Sequence, residues 1–177
     1  MSLIEDILQS RIKPKEKQIK LVDAVVSKHV SSKEFIDFFE SANDVDKGSC
    51  ADAMKHISAL NPDILAPYIE TLIKYINYKL PRVKWGVPEA IGNMSLKYPE
   101  QTAQAIPYLL KNTADNKVNT TVIKWCAAFA LTEIARYNPR TRNKLVPLFK
   151  DIIEIEQNNG IRNVYIKTLK GIENPGK

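Results

Sequence analysis

Apolar positions along this chain recur with the period of a helix. Ile64, Leu65, Tyr68, Ile69, Leu72, Ile73 and Ile76 follow i, i+3, i+4, i+7 spacing, which lines one helical face and leaves the other polar. The strict alternation of a half-buried strand is absent, and the β-branched run Asn119-Thr-Thr-Val-Ile123 sits at a helix start. Capping signals fall between the stripes. Asn61-Pro62, Pro99 and Asn138-Pro139 put a proline in the first turn, where its missing N–H costs nothing. Ser31-Ser-Lys-Glu34 has the spacing of a capping box. Together these predict helices over 2–10, 14–29, 31–43, 45–59, 62–78, 82–97, 99–113, 117–137, 139–156 and 161–173. The expected architecture is all-α, with five antiparallel pairs joined by short turns.

Three stretches carry one frame. Lys47–Pro62, Lys84–Pro99 and Lys124–Pro139 align without gaps, at offsets of 37 and 40 residues. Each has a Lys, an Ala six residues on (Ala53, Ala90, Ala130), apolar residues at +7 and +10, and a Pro at +15. Self-similarity at that period predicts a stacked helical repeat. A second set of prolines follows the same period. Pro67, Pro107 and Pro147 lie inside the first helix of successive pairs, each before an aromatic or aliphatic pair. An interior Pro removes one hydrogen bond and crowds the carbonyl four residues back, so each first helix is expected to bend.

On these residues the chain resembles a HEAT-repeat protein. In that family a kinked helix A precedes a helix B that opens with an aliphatic-basic pair, here Val83-Lys84, Ile123-Lys124 and Ile161-Arg162. The pair at Asp46-Lys47 lacks the aliphatic residue. The resemblance implies one domain over 1–177, a right-handed α-α superhelix with clear repeats at 45–172 and degenerate helical pairs at 1–44, as terminal repeats often are. It also implies that the B helices line the concave side.

At 100° per residue, Val83, Val87, Ala90, Ile91 and Met94 share one sector of the B helix, opposite Trp85 and Glu89. The next repeat puts Ile123, Ala127, Ala130, Leu131 and Ile134 inward and Trp125 and Phe129 outward. Leaving an indole in water forfeits on the order of 1.5–3 kcal/mol, so two at one azimuth point to a ligand surface. The predicted accessible wall is Lys84, Trp85, Glu89, Lys124, Trp125, Phe129 and Arg162, and it would take a protein or peptide. Two other readings stay open: the indoles packing on a neighbouring B helix, and the Lys/Arg ladder bonding carbonyl ends or an acidic turn residue of the adjacent unit. Pro88 bears on Trp85, since a helix starting after it would change that azimuth.

Charge is uneven. Residues 1–60 carry nine basic and ten acidic side chains, and residues 61–177 carry seventeen and ten. A basic half favours an acidic partner, and Arg140, Arg142 and Lys144 form a candidate anion or nucleic-acid cluster at a helix start. Basic HEAT-like proteins include alkylpurine DNA glycosylases, and Trp85 with Glu89 one turn later echoes their groove. The alternative is therefore a nucleic-acid-binding protein related to them.

Catalytic motifs are missing: no Gly-rich phosphate loop, no nucleophile elbow, no His with a spaced carboxylate. Cys50 and Cys126 fall on apolar faces, as small buried hydrophobes rather than a disulfide, and His29 and His56 lack zinc spacing. No apolar run reaches membrane length, and the acidic N-terminus is unlike a secretory signal. The expectation is a cytoplasmic, monomeric, non-enzymatic module without cofactor, metal or membrane.

Overall fold

The structure, a computed structural model, describes residues 1–114 and 117–176. Among these the fold is all-helical, with no strand. Helix α1 (Leu3–Gln9) opens on a capping box between Ser2 and Glu5. Helix α2 (Pro14–Val26) ends where Lys28 takes a left-handed φ of 64° and the Val30 N–H reaches back to the Ala24 carbonyl. Ser31 accepts from the Glu34 N–H to start α3 (Ser32–Ser41), and Asn43 caps α4 (Asp44–Leu60). The remaining α-helices are α5 (Ile69–Ile73), α6 (Pro81–Met94), α7 (Pro99–Ala103), α8 (Ile106–Lys111), α9 (Thr121–Tyr137), α10 (Pro139–Ile155) and α11 (Asn159–Glu173).

Helices α2, α4, α6, α9 and α11 pack side by side in that order. The others pack against this row: α1 on α2, α3 on α4, α5 on α6, α7 and α8 on α9, and α10 on α9 and α11. The core runs along these contacts, from Ile4 to Leu169. Every residue assigned inward on α6 and α9 is at most 1% exposed. Pro88 lies within α6, which starts at Pro81 and continues past it, so the azimuth of Trp85 stands.

The prolines of the first helices act differently from one another. Residues 62–78 do not form one bent helix but two 3-10 turns, Pro62–Ile64 and Ala66–Tyr68, then α5. Pro67 cannot donate to Asp63, and three-residue bonds such as Tyr68 N–H to Leu65 O, 2.9 Å, take over. Residues 99–113 split into α7 and α8 ahead of Pro107, but α10 runs unbroken through Pro147. The first turns differ. Tyr98 gives α7 no side-chain cap, while Asn138 accepts from Arg140 and Thr141 N–H and donates to the Pro99 carbonyl at 3.0 Å.

Small residues set the helix spacing in the row. A Cβ on Gly86 would lie 2.0 Å from the Ala51 carbonyl oxygen, so α4 and α6 touch backbone to backbone there. A Cβ on Gly92 would lie 2.7 Å from a Phe129 ring carbon, so that ring lies on bare α6 backbone. Ala53, Ala90 and Ala130 are fully buried. Ala130→Leu is expected to lose about 1–3 kcal/mol by overpacking, measured in a thermal melt; an unchanged melt would show that α9 has room there.

Candidate functional site

The outward face of α6 and α9 carries the aromatic residues. Trp125 is 39% exposed, and its indole stacks on Phe129 with centroids 5.8 Å apart and planes within 4°. Val118, just before α9, and Val122, in its first turn, are 62% and 48% exposed. Trp85 is half-buried, and its Nε1 is enclosed without a hydrogen-bond partner. One turn on, Glu89 accepts from the Cys126 thiol at 3.3 Å, tying α6 to α9 beside Trp125. Burial and the Glu89 carboxylate push that thiol well above its ordinary range, and burial pushes Cys50 up to about 12, so neither is a nucleophile at neutral pH.

A polar network continues across the row, and the sequence had not pointed to it. Asp52 on α4 accepts from Gln18 Nε2 at 2.8 Å and pairs with Lys55 at 3.0 Å and Arg82 at 3.6 Å. Burial opposes the charge on Lys55, but its bond to Asp52 and the nearby Glu89 hold it above its usual value. Asn93 on α6 donates to the Lys55 carbonyl at 3.0 Å and to Ser58 Oγ at 3.1 Å. The aligned frames put Asp52, Glu89 and Phe129 at one register, which was the available signal. Their partners come from neighbouring helices, and spacing within one helix does not reveal them.

The basic ladder is not on this face. Lys84 and Lys124, expected on the accessible wall, are 7% and 8% exposed, and Arg162 is half-buried. Helical side chains tilt toward the helix N-terminus, which carries these cations into the turn where the preceding helix ends. Lys47 Nζ donates to the Phe39 and Glu40 carbonyls at the end of α3, and Arg162 Nε donates to the Ile153 carbonyl near the end of α10 at 3.1 Å. Lys17 on α2 donates to the Leu8 carbonyl of α1 in the same way, in the stretch where the sequence frame is faintest. Lys47 also lies over the Phe39, Tyr75 and Tyr78 rings, 4.9–5.8 Å from their centroids. Lys124 pairs with Glu156 at 2.8 Å, both nearly enclosed. The carbonyl matching the Lys47 acceptor for Lys84, that of Ile76, accepts from Asn112 Nδ2 at 2.9 Å. A cation at a helix C-terminus meets the negative end of the macrodipole, so these contacts are favourable without any ligand.

The Arg140, Arg142 and Lys144 cluster is dispersed. Arg140 reaches Glu100 at 3.8 Å, Lys144 is exposed, and Arg142 turns back to donate to the Ala135 and Arg136 carbonyls at 3.0 and 2.7 Å. Among the described residues no group of three or more His, Cys, Asp or Glu could hold a metal, and no helix is long and apolar enough to cross a membrane.

What the architecture and this face define together is an all-helical protein with an aromatic and polar surface on one row of helices. No family model matches the chain, and no curated protein matches it. Among solved structures it is similar to the crystal structure of an engineered protein, with a TM-score of 0.70 and 15% identity, covering 87% of this chain and 66% of that one. At that identity the likeness concerns the fold alone.

Proposed function

We propose that this protein is a non-enzymatic binding module of HEAT-like, superhelical architecture, whose concave side is the row α2, α4, α6, α9 and α11 and whose ligand is a protein or peptide. The observation that carries the reading is the exposed Trp125 stacked on Phe129, beside a Trp85 whose Nε1 lacks an acceptor. Large aromatic residues dominate interface energetics, and an extended segment crossing α6 and α9 would cover Trp125 and could offer Trp85 a carbonyl if the indole shifts. The network from Gln18 to Glu89 would set the polar specificity beside that anchor. Nucleic acid is supported less, because the cations aligned at the starts of α4, α9 and α11 bond within the chain.

The test is recovery of partners from lysate with wild type and Trp125→Ala. The expected result is loss of specific partners from the variant, with its circular dichroism unchanged. Equal recovery sinks the proposed face. Tryptophan emission supplies a second readout: the only two indoles lie on this face, so a ligand bound there shifts or quenches it. A gel shift on duplex DNA across a salt series tests the other reading, since phosphate-driven binding weakens steeply with salt.

A further inference from the structure

Away from that face, a cavity of about 330 Å³ opens between the C-terminal parts of α9 and α11, lined by Arg136, Arg142, Thr168, Gly171, Ile172 and Pro175. Two guanidinium groups share it. Arg136 uses Nη1 toward Glu133 at 3.2 Å, and Arg142 uses Nε and Nη2 on the α9 carbonyls. A guanidinium has five N–H donors, so both keep donors that no group among the described residues takes up.

The second observation is Thr168. It is 3% exposed and lines the cavity, and its hydroxyl makes no hydrogen bond among the described residues. Other buried threonines behave differently: Thr102 and Thr132, at most 2% exposed, donate to the Tyr98 and Phe129 carbonyls of their own chain segments. Thr168 stands at the +6 position, where the three aligned segments have Ala53, Ala90 and Ala130. The Thr168 oxygen is not one of the fully enclosed polar atoms without a partner, so it opens into the cavity, where water or a ligand can bond it. A Cβ on Gly171 would meet nothing within 4 Å, which leaves the floor of the cavity open.

The helix ends here are negative, and two groups offset them: Arg142 bonds the α9 carbonyls, and Lys170 lies in the last turn of α11. We infer that this cavity is a site for a phosphate group, held by Arg136, Arg142 and the Thr168 hydroxyl. Arginine forks match phosphate oxygens, and a hydroxyl adds a neutral donor. The volume is at the small end for ligand sites, which suits phosphate or a compact phosphomonoester with its substituent against Ile172 and Pro175.

Isothermal titration at low ionic strength, with inorganic phosphate and with phenyl phosphate, tests this against sodium chloride of matched ionic strength. Saturable binding is expected, weakened about tenfold by Arg136→Gln, the loss of one charge-assisted hydrogen bond. Thr168→Val keeps the shape and removes the hydroxyl, and it should weaken binding severalfold. Arg142 is left intact because it also caps α9, and circular dichroism checks the fold of each variant. Tighter binding of phenyl phosphate identifies a monoester as the ligand; equal or tighter inorganic phosphate identifies the free ion. No saturable binding of either probe beyond the chloride control overturns the inference. So does undiminished binding by the variant carrying both substitutions.

Discussion

Gly86→Ala is expected to destabilise this protein by about 3 kcal/mol, the upper end of what overpacking usually costs. The added methyl would stand 2.0 Å from the Ala51 carbonyl oxygen and 2.4 Å from its carbon, and backbone cannot swing aside as a side chain can. Alanine gains roughly 1 kcal/mol over glycine in helix propensity, which offsets part of the clash. The net effect, about 3 kcal/mol, should lower the melting temperature by ~6–12 °C for a chain of this size. Gly171→Ala is the internal control, since its methyl meets nothing and only the propensity gain remains. Equal melts for the two variants would show that α4 and α6 separate at little cost.

Lys124→Met should be nearly as damaging, at about 3 kcal/mol, because removing one partner of an enclosed ion pair strands the other. Glu156 is then left with the backbone N–H groups of Asn158, 2.9 Å away, and Gln157. The pH dependence carries the signature. Burial opposes ionisation of Glu156, but bonds from Lys124 and from the Asn158 and Gln157 N–H groups outweigh it and hold the carboxyl below its usual value. A carboxyl lowered in the folded state adds stability above its unfolded value, and that share is lost as pH falls through the folded one. Wild type should therefore lose this contribution on acidification below the ordinary glutamate range. In Lys124→Met the lowering by Lys124 is gone, so the variant should lose less stability than wild type on the same acidification. Parallel stability curves for the two proteins in denaturant at pH 7 and at mildly acidic pH would show that the pair contributes nothing.

The helix starts were legible because local chemistry decides them. Asn61, Asn138 and Ser31 cap by reaching two or three residues ahead, within the span a sequence displays. The core faces of α6 and α9 were legible for the same reason, since one helical period sorts Val83 from Trp85. The break before Pro107 and the continuity through Pro147 were not, because the two stretches share a spacing and differ in the long-range bond from Asn138 to Pro99. The site was half-legible. The azimuth placed Trp125 and Phe129 outward, but the same reasoning put Lys84 and Lys124 beside them. A wheel gives the angle at which a side chain leaves its helix and says nothing of how far a long stem reaches along the axis. Lysine, with its four-carbon stem, is the residue for which that gap is widest. Asp52 and Lys55 escaped notice because their meaning comes from three helices meeting.

Those long stems change what the formal charge of +6 means. A count of ionised side chains omits the peptide groups, yet each helix end presents roughly half an elementary negative charge. Lys17, Lys47 and Arg162 each rest against such an end, so each is partly neutralised by atoms that no titration registers. An electrode or an ion-exchange resin senses the whole molecule from a distance and records a basic protein. A polyanion pressed against the turns, within a Debye length of about 8 Å, meets a much weaker field. The isoelectric point inferred from the sequence, about 9.2, thus describes how this protein migrates better than what it attracts.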